Sequence, residues 1–177
     1  MRKILCLLLL SMLITPALAA DWSMFKKDVL HSGYSGDAVN VPLILKWTKY
    51  LGFETDSSPV IVDDVLYIGS THGIFALDAK TGKEIWNFPT NGFVKSVPAV
   101  SNGVIYFGAD DRKFYAIDSK NGTLKWINDT SLDGYTASAA VVDKSVYALP
   151  KDGTFYTFDS SNGEIIWTTL FGKRALP

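Results

Sequence analysis

Two histidines and two pairs of aspartates are the side chains of this sequence with the most evident capacity for chemistry. His31 and His72 are the only histidines, and neither has a second histidine or a glutamate at metal-ligand spacing. Asp63-Asp64 and Asp110-Asp111 could act as paired carboxylates, but both pairs lie between predicted strands, where aspartate commonly accepts local backbone hydrogen bonds. We therefore interpret all of them as surface or turn residues, and predict neither catalytic residues nor a metal site.

Composition excludes further classes of function. The 177 residues include 17 Lys+Arg and 18 Asp+Glu, which give a formal net charge of -1. Because affinity for nucleic acid depends on neutralising rows of phosphates, this balance argues against a nucleic-acid partner. The sequence also has no phosphate-binding glycine loop and no Gly-x-Ser-x-Gly nucleophile elbow. Its 47% hydrophobic content is typical of a folded domain with a substantial core.

Residues 1–19 have the pattern of a secretory signal peptide. Arg2 and Lys3 precede an apolar run from Ile4 to Ile14, and the small-residue pattern Ala17-Leu18-Ala19 follows. A membrane anchor is the alternative, but the run is much shorter than the about 20 residues that span a bilayer. Cleavage would also remove Cys6, the only cysteine. We expect an exported mature chain that has neither a disulfide nor a membrane span.

The remaining sequence is built from a repeat. Its tryptophans recur about every 40 residues, and aligning them brings a tyrosine, an aspartate and a glycine into register: Trp47, Trp86, Trp126 and Trp167; Tyr67, Tyr106 and Tyr147; Asp78, Asp118 and Asp159; Gly82, Gly122 and Gly163. Each unit contains four short apolar segments separated by turn residues, with no sustained helical period. Four short strands in a repeat of this length are typical of a β-propeller blade.

We predict an all-β chain with three blades of four antiparallel strands, at about residues 57–88, 96–128 and 137–168, in a partial propeller spanning 44–177. Residues 20–43 are expected to form an irregular N-terminal segment. Trp47 holds the tryptophan position without three preceding strands, so Ile44 to Leu51 is predicted to be a lone strand. Because three blades cannot close a ring, two alternatives remain: a truncated relative of a longer propeller, or a homodimer that closes the ring.

The repeat also predicts the core. Inward-facing strand residues and three of the tryptophans are expected to be buried: Trp86, Trp126, Trp167, Val60, Ile61, Leu66, Val100, Ile105, Phe114, Ile117, Val141, Phe155 and Phe158.

The turn before each tryptophan has a physical rationale. Aspartate accepts local backbone hydrogen bonds, glycine adopts a positive φ, and tryptophan fills the space between blades. The segment from Ala76 to Trp86 resembles the tryptophan-docking motif of pyrroloquinoline-quinone (PQQ)-type propeller repeats, and the copies ending at Trp126 and Trp167 differ at one and two motif positions. The resemblance implies that the motif residues serve packing: Asp78, Gly82, Trp86, Asp118, Gly122, Trp126, Asp159, Gly163 and Trp167.

The same resemblance raises an enzymatic alternative. Quinoprotein dehydrogenases of this family hold PQQ at the centre of an eight-bladed ring, with a vicinal disulfide over one face and calcium beneath the quinone. This sequence has one cysteine and fewer blades, and Gly33 precedes Tyr34-Ser35 where such dehydrogenases tend to have arginine. We therefore expect no cofactor, and a PQQ-dependent dehydrogenase remains the alternative function.

The favoured function is a non-enzymatic binding or scaffolding module, as in the outer-membrane assembly lipoproteins and cell-surface proteins with similar repeats. Phe53, Phe93 and Tyr135 each follow a glycine in a loop that precedes a blade. We predict that they form an exposed aromatic rim that binds a protein or a cell-envelope component. The alternative is that these rings cover the seams between blades.

Overall fold

The computed structural model describes residues 21–28, 30–36 and 41–171, so the predicted signal peptide lies outside the described residues. The described part contains twelve β-strands in three antiparallel sheets of four, and no helix. The blades consist of β1 (Val60–Val62), β2 (Val65–Ser70), β3 (Gly73–Asp78) and β4 (Glu84–Pro89); β5 (Ala99–Ser101), β6 (Val104–Gly108), β7 (Phe114–Asp118) and β8 (Leu124–Asn128); and β9 (Ala140–Val142), β10 (Ser145–Ala148), β11 (Thr154–Asp159) and β12 (Ile165–Leu170). The predicted all-β propeller architecture is confirmed.

Each blade is a meander whose strands pair in chain order. In the first blade Val60 pairs with Tyr67, Tyr67 with Ala76, and Ala76 with Trp86. The register between the third and fourth strands shifts immediately after Ala76, and it shifts at the equivalent point in the other two blades. A β-bulge changes the direction of neighbouring side chains, and here it adjoins the tryptophan of every blade.

The blades converge along their first strands, because β1 contacts β5 and β5 contacts β9. Apolar side chains fill the two spaces between neighbouring blades. One buried cluster includes Val60, Tyr67 and Ile105 of the first and second blades, and the other includes Phe114 and Phe158 of the second and third. The core is therefore a pair of layers between sheets.

Most of the predicted core residues are buried, namely Val60, Val100, Ile105, Phe114, Ile117, Trp126, Val141 and Phe158. The prediction is wrong for Ile61, which is 38% exposed because it follows buried Val60 and its side chain points to the opposite side of the strand. It is also wrong for Trp167, which lies on the outer face of the third blade and is exposed. Leu66, Trp86 and Phe155 are only partly buried.

The predicted lone strand is also wrong. Residues 44–51 are described and contain no strand, since none of the described strands pairs with them. Trp47 nevertheless packs against the first blade, where its indole Nε1 donates a 3.0 Å hydrogen bond to the carbonyl of Ala79. The side chain of a tryptophan can donate its hydrogen bond wherever an acceptor is in reach, whereas a β-strand requires a neighbouring strand for backbone hydrogen bonds.

The N-terminal segment crosses the inner edge of the blades. Trp22 and Ile61 exchange backbone hydrogen bonds of 2.7 and 2.9 Å, and Val100 of the second blade donates one of 2.8 Å to the carbonyl of Ser23. Met24 is buried in the cluster between the second and third blades. These contacts hold the segment against first strands of two blades.

Candidate functional site

The turns of the propeller lie on two faces. On the loop face, the loops before the blades meet the turns between second and third strands, since Thr71, Asp110 and Lys151 donate backbone hydrogen bonds to the carbonyls of Glu54, Phe93 and Gly134. On the aspartate-turn face, the turns between third and fourth strands meet those between first and second strands, as in the bond from Ala79 N to the Asp64 carbonyl. Binding residues must be assigned to one of these faces.

The aspartate-turn face is ordered by its carboxylates. Asp78 Oδ1 accepts hydrogen bonds from the Thr81 amide and hydroxyl at 2.8 and 2.7 Å and from the Lys80 amide at 3.1 Å. The Thr81 hydroxyl bond is the largest cause of the lowered pKa of Asp78. The pKa values of Asp118 and Asp159 are lowered as well, chiefly by the Lys120 amide and the Ser161 hydroxyl. The hydrogen bonds stabilise ionised carboxylates that fix the turns.

Each of these turns receives a tryptophan from the preceding segment of chain. Trp86 and Trp126 donate hydrogen bonds of 3.1 and 2.9 Å to the carbonyls of Ser119 and Ser160, as Trp47 does to Ala79. The rings cover glycines with φ between 71° and 76°, where an added Cβ would lie 2.5–2.8 Å from a ring carbon: Gly82, Gly122 and Gly163. These positions require glycine both for backbone conformation and for close approach of the indole.

Trp167 differs from the other three tryptophans. It is 45% exposed, and no described residue accepts a hydrogen bond from its indole. The third blade therefore has the complete Asp-Gly-Trp motif, but no other blade among the described residues packs on the face that carries Trp167.

The predicted aromatic rim is not formed as a set of three. Phe53 is 41% exposed and Phe93 is partly exposed, but Tyr135 is fully buried between the second and third blades. Burial raises the pKa of its hydroxyl well above the ordinary value. Tyr135 is thus a core residue, and the rim prediction is wrong for it.

The three aromatics are not structurally equivalent. The loop-face carbonyls identify Glu54, Phe93 and Gly134 as equivalent residues, so Phe53 lies one position before this point and Tyr135 one position after it. Tyr135 instead shares its position with Val94, since the amides of both donate to the preceding blade, at Ala109 and Ser70. The shared glycine-aromatic pair does not mark one position, and that is why one ring points inward.

Phe53 forms an aromatic pair that the sequence did not indicate. Its ring stacks on His72 with centroids 3.8 Å apart, and Phe75 lies 6.3 Å away. His72 is in the turn after β2, at the position that Asp111 occupies in the second blade. Asp111 accepts a 2.6 Å hydrogen bond from Tyr115 Oη, and burial together with this bond raises the pKa of Tyr115. Equivalent turns thus carry an aromatic stack in one blade and a polar pair in the next.

A charged cluster lies on the loop face between the second and third blades. Asp110 carboxylate oxygens lie 3.3 Å from Lys95 Nζ and 2.7 Å from Lys151 Nζ. Burial raises the pKa of Asp110, but the hydrogen bonds and charges of the two lysines outweigh it, and the pKa is lowered. Lys95 also lies 5.0 Å from the centre of the Phe93 ring. The sequence marked Asp110 only as a turn acid, because nothing local to it indicates the lysines.

A groove adjoins Phe53 on the outer side of the first blade. Its volume is about 330 Å³, and it is lined mainly by apolar side chains of the loop and sheet, including Trp47, Tyr50, Leu51, Leu66 and Ile68. Tyr50 is largely exposed at its edge. The arrangement can hold an apolar side chain of a partner beside an exposed aromatic ring.

The other sequence candidates lie apart from this groove. The exposed His31 ring makes an edge contact with Phe25, with centroids 5.9 Å apart. Asp63 and Asp64 form the turn between β1 and β2, both with positive φ, and Asp64 pairs with Lys80. The structure does not bring the histidines and aspartate pairs together.

The resemblance implies a quinone and a calcium ion at the centre of a ring, and two features of the described residues bear on such a site. Where the blades converge, Trp22 and Ser23 take backbone hydrogen bonds of β1 and β5, so the chain itself occupies the inner edge. Within residues 21–28, 30–36 and 41–171, no three side chains of histidine, cysteine, aspartate or glutamate form a group that could hold a metal ion. The same described ranges hold no helix of the length and apolarity needed to cross a membrane.

Comparison with known proteins places this geometry in a family. Residues 32–174 match the family model described as outer membrane protein assembly factor BamB. BamB of Escherichia coli K12 is 30% identical in an alignment of 112 positions that covers 54% of this chain and 28% of the relative. The matched region is therefore a minor part of that relative.

Two solved structures have the same fold. BamB of Moraxella catarrhalis superimposes with a TM-score of 0.63 at 21% identity, covering 71% of this chain and 39% of that chain. Quinohemoprotein alcohol dehydrogenase of Comamonas testosteroni gives a TM-score of 0.75 at 22% identity, covering 85% of this chain and 27% of that chain. This chain spans less than half of each of these relatives. The matched family model and the three repeated blades show that the chain belongs to the PQQ-type propeller-repeat family of the outer membrane protein assembly factor BamB.

Proposed function

We propose that this protein is an exported propeller module of the cell envelope that binds a protein partner through its loop face and carries out no catalysis. The observation that supports it most is the exposed Phe53, which is stacked on His72 beside the apolar groove. An aromatic ring held in place by a neighbour loses little conformational entropy on binding, so it is suited to anchor a partner. The signal-peptide pattern and the names of the BamB relatives support the envelope location.

The neighbouring charges would orient the partner. Lys95 and Lys151 flank Asp110 at the next seam along the loop face, while Phe93 lies beside Lys95. A partner segment with an apolar side chain in the groove could place polar groups against this cluster, in the manner of an interface with an apolar centre and a polar rim. The buried Tyr135 contributes packing and no contact surface.

Site-specific photocrosslinking in the native host tests this function. A photoreactive amino acid at Phe53 or Phe93 is expected to capture a specific envelope protein, which mass spectrometry identifies. The matched control places it at Lys120, an exposed residue of the aspartate-turn face. Capture of the same protein with equal yield from position 120 contradicts loop-face binding.

A double variant, Phe53→Ser with Phe93→Ser, provides the second measurement. It is expected to reduce recovery of the captured protein by roughly tenfold or more, while the thermal midpoint stays close to that of the wild type because both rings are partly exposed. Unchanged recovery rejects the loop face as the binding surface.

The dehydrogenase alternative is supported by the fold shared with the Comamonas enzyme. PQQ would supply two-electron oxidation of an alcohol. Purified protein incubated with PQQ and Ca²⁺ is expected to retain no quinone absorbance after gel filtration and to show no dye-linked alcohol oxidation. Retained chromophore together with oxidation would replace the binding function by the enzymatic one.

A further inference from the structure

We propose that Asn102 is a site of spontaneous deamidation, at which the folded protein converts its side-chain amide through a succinimide to aspartate and isoaspartate. The site is the turn between β5 and β6, on the aspartate-turn face. This inference goes beyond the loop-face function, because it concerns the other face and requires only water as a co-reactant.

The sequence contains the same reactive dipeptide four times, as Asn91-Gly92, Asn102-Gly103, Asn121-Gly122 and Asn162-Gly163. The backbone nitrogen of glycine can attack the asparagine Cγ, since glycine has no Cβ to obstruct the approach. A bond forms from this nitrogen to Cγ, the bond from Cγ to the side-chain nitrogen breaks, and that nitrogen leaves as ammonia with the amide proton of glycine. Water then opens the succinimide at either carbonyl, which gives aspartate or isoaspartate. Because the local chemistry is shared, the fold decides which dipeptide reacts.

Asn121-Gly122 is held in the aspartate turn of the second blade. The Gly122 amide donates a 2.9 Å hydrogen bond to the Asp118 carbonyl, and Asn121 Oδ1 accepts hydrogen bonds from the amide and hydroxyl of Thr123 at 3.0 and 2.8 Å. The Trp86 ring covers Gly122, where an added Cβ would lie 2.8 Å from a ring carbon. The attacking nitrogen and the carboxamide cannot approach each other without losing these contacts.

Asn162-Gly163 is held in the same way in the third blade. The Gly163 amide donates a 2.9 Å hydrogen bond to the Asp159 carbonyl, and Asn162 Oδ1 accepts one of 3.0 Å from the Glu164 amide. The Trp126 ring covers this glycine, with a ring carbon 2.5 Å from the position of an added Cβ. We therefore expect slow deamidation in both aspartate turns.

Asn91-Gly92 lies on the loop face and is held by packing. An added Cβ at Gly92 would lie 2.2 Å from the Asp111 amide nitrogen, so the backbone has little room to move. The Asn91 amide donates a 3.2 Å hydrogen bond to Asp111 Oδ2, and the Gly92 carbonyl accepts one of 2.6 Å from the Thr90 hydroxyl. These contacts fix the peptide group that would have to rotate, so deamidation is expected to be slow here as well.

Asn102-Gly103 lacks all of these restraints. Both residues are exposed, and within residues 21–28, 30–36 and 41–171 neither the carboxamide of Asn102 nor the amide of Gly103 has a hydrogen-bond partner. The nearest described atom to an added Cβ at Gly103 is Ser119 Oγ, 3.9 Å away, which leaves space for the succinimide ring. The attacking nitrogen and the carboxamide are thus free at this dipeptide.

The aspartate product matches the residue of the other two blades. The turns between first and second strands are equivalent, and they place Asp63, Asn102 and Asp143 at one position, with φ of 50°, 50° and 53°. Aspartate is therefore compatible with this backbone. Isoaspartate instead adds a methylene group to the main chain beside Gly103, whose carbonyl accepts a 2.9 Å hydrogen bond from the Ser119 amide. We expect the isoaspartate form to weaken that contact.

Peptide mapping by mass spectrometry tests the site. Trypsin releases the dipeptides in four different peptides, 84–95, 96–112, 121–125 and 152–173. After incubation of the folded protein at mildly alkaline pH, deamidation at Asn102 is expected to be at least roughly tenfold faster than at the other three asparagines, because those must first lose hydrogen bonds or packing contacts. The product should include isoaspartate, which the succinimide route gives and direct hydrolysis of the amide does not.

The same protein in guanidinium chloride is the matched control. The four rates are expected to converge there, mainly through faster reaction at Asn91, Asn121 and Asn162. Equal rates in the folded protein overturn the proposal. So does an unmodified Asn102 in folded protein over a period in which the denatured protein reacts, or a product that contains aspartate alone.

Two variants separate the reaction from its consequence. Asn102→Gln is expected to remove the acidic species that ion-exchange chromatography resolves after incubation, because glutamine cyclises far more slowly. Asn102→Asp is expected to elute with the aspartate product and to keep the urea midpoint of the wild type. Persistence of the acidic species in Asn102→Gln places the modification elsewhere and rejects the site, and a lowered midpoint of Asn102→Asp contradicts the equivalence of the three turns.

Discussion

Trp126 and Trp167 occupy equivalent positions in consecutive blades, yet one is 7% and the other 45% exposed. Trp126 packs on Phe114 and Phe158 and donates to Ser160, whereas Trp167 contacts Phe155 of its own blade. The local sequence and the bulged register are nearly the same. Burial is therefore a property of the seam between blades, and one motif produces either a core residue or a half-exposed side chain.

Alanine replacements of these two tryptophans are expected to differ most in their effect on stability. Trp126→Ala is expected to lower the free energy of unfolding by about 3–5 kcal/mol, because it leaves a cavity at a filled seam. Trp167→Ala is expected to lower it by less than about 1 kcal/mol, because nearly half of the side chain is exposed to solvent and it fills no seam. Urea unfolding followed by circular dichroism measures both. Equal losses would mean that the third blade is covered in solution.

Tyr135 and Phe53 extend the comparison to the loops. Tyr135→Ala is expected to cost about 3 kcal/mol, since a fully buried aromatic side chain is removed from the seam of the second and third blades. Phe53→Ala, at a half-exposed ring on the loop face, is expected to cost less than about 1 kcal/mol. Thermal unfolding of the two variants checks this. A small loss for Tyr135→Ala would contradict its assignment to the core.

The repeat predicted the blades because each strand depends on local patterns that recur with the tryptophan. The repeat gave wrong predictions where strand formation or burial depends on residues that are distant in the sequence. Ile44 to Leu51 has a tryptophan in register but no ladder partner, so it forms no strand in the structure. The repeat predicts both Val60 and Ile61 to be buried, although neighbouring residues of a strand face opposite sides and only Val60 faces the core.

The candidate site was less predictable than the fold. The loops before the blades differ in length, so a glycine-aromatic pair could be aligned by sequence without sharing a backbone position, as Phe53 and Tyr135 demonstrate. The stack of Phe53 on His72 joins a loop to a turn, and the bridge from Lys95 through Asp110 to Lys151 joins two blades. No local pattern encodes such contacts, because they are determined by how the sheets pack.

Alanine replacements of two glycines test the turn that receives a tryptophan at a seam. Gly122 and Gly103 have nearly the same φ, 72° and 74°, but a Cβ would lie 2.8 Å from the Trp86 ring at Gly122 and 3.9 Å from the nearest atom, Ser119 Oγ, at Gly103. Backbone strain is expected to cost roughly 1 kcal/mol in each alanine variant. Displacement of the indole should add roughly 1 kcal/mol at Gly122 alone. Equal costs measured by urea unfolding would show that the ring contact contributes nothing.

The smallest effect concerns the charge at the filled seam. The pKa of Asp110 is lowered in the folded protein, since the pairing with Lys151 and Lys95 outweighs burial. A carboxylate with a lowered folded pKa contributes stability above its unfolded pKa of about 3.9, and that contribution is lost as the pH falls through the folded value. Asp110→Asn should therefore narrow the difference in unfolding free energy between pH 7 and pH 3, by less than about 1 kcal/mol because the group is partly exposed to solvent.

The matched control is Asp64→Asn, which removes an ion pair at the protein surface. In that pair the side chain of Asp64 is 62% exposed and that of Lys80 is 71% exposed. If both variants change the pH dependence equally, the bridge across the blades has no advantage over an ordinary surface pair, and the filled seam owes its stability to the apolar contacts of Trp126 and Tyr135 alone.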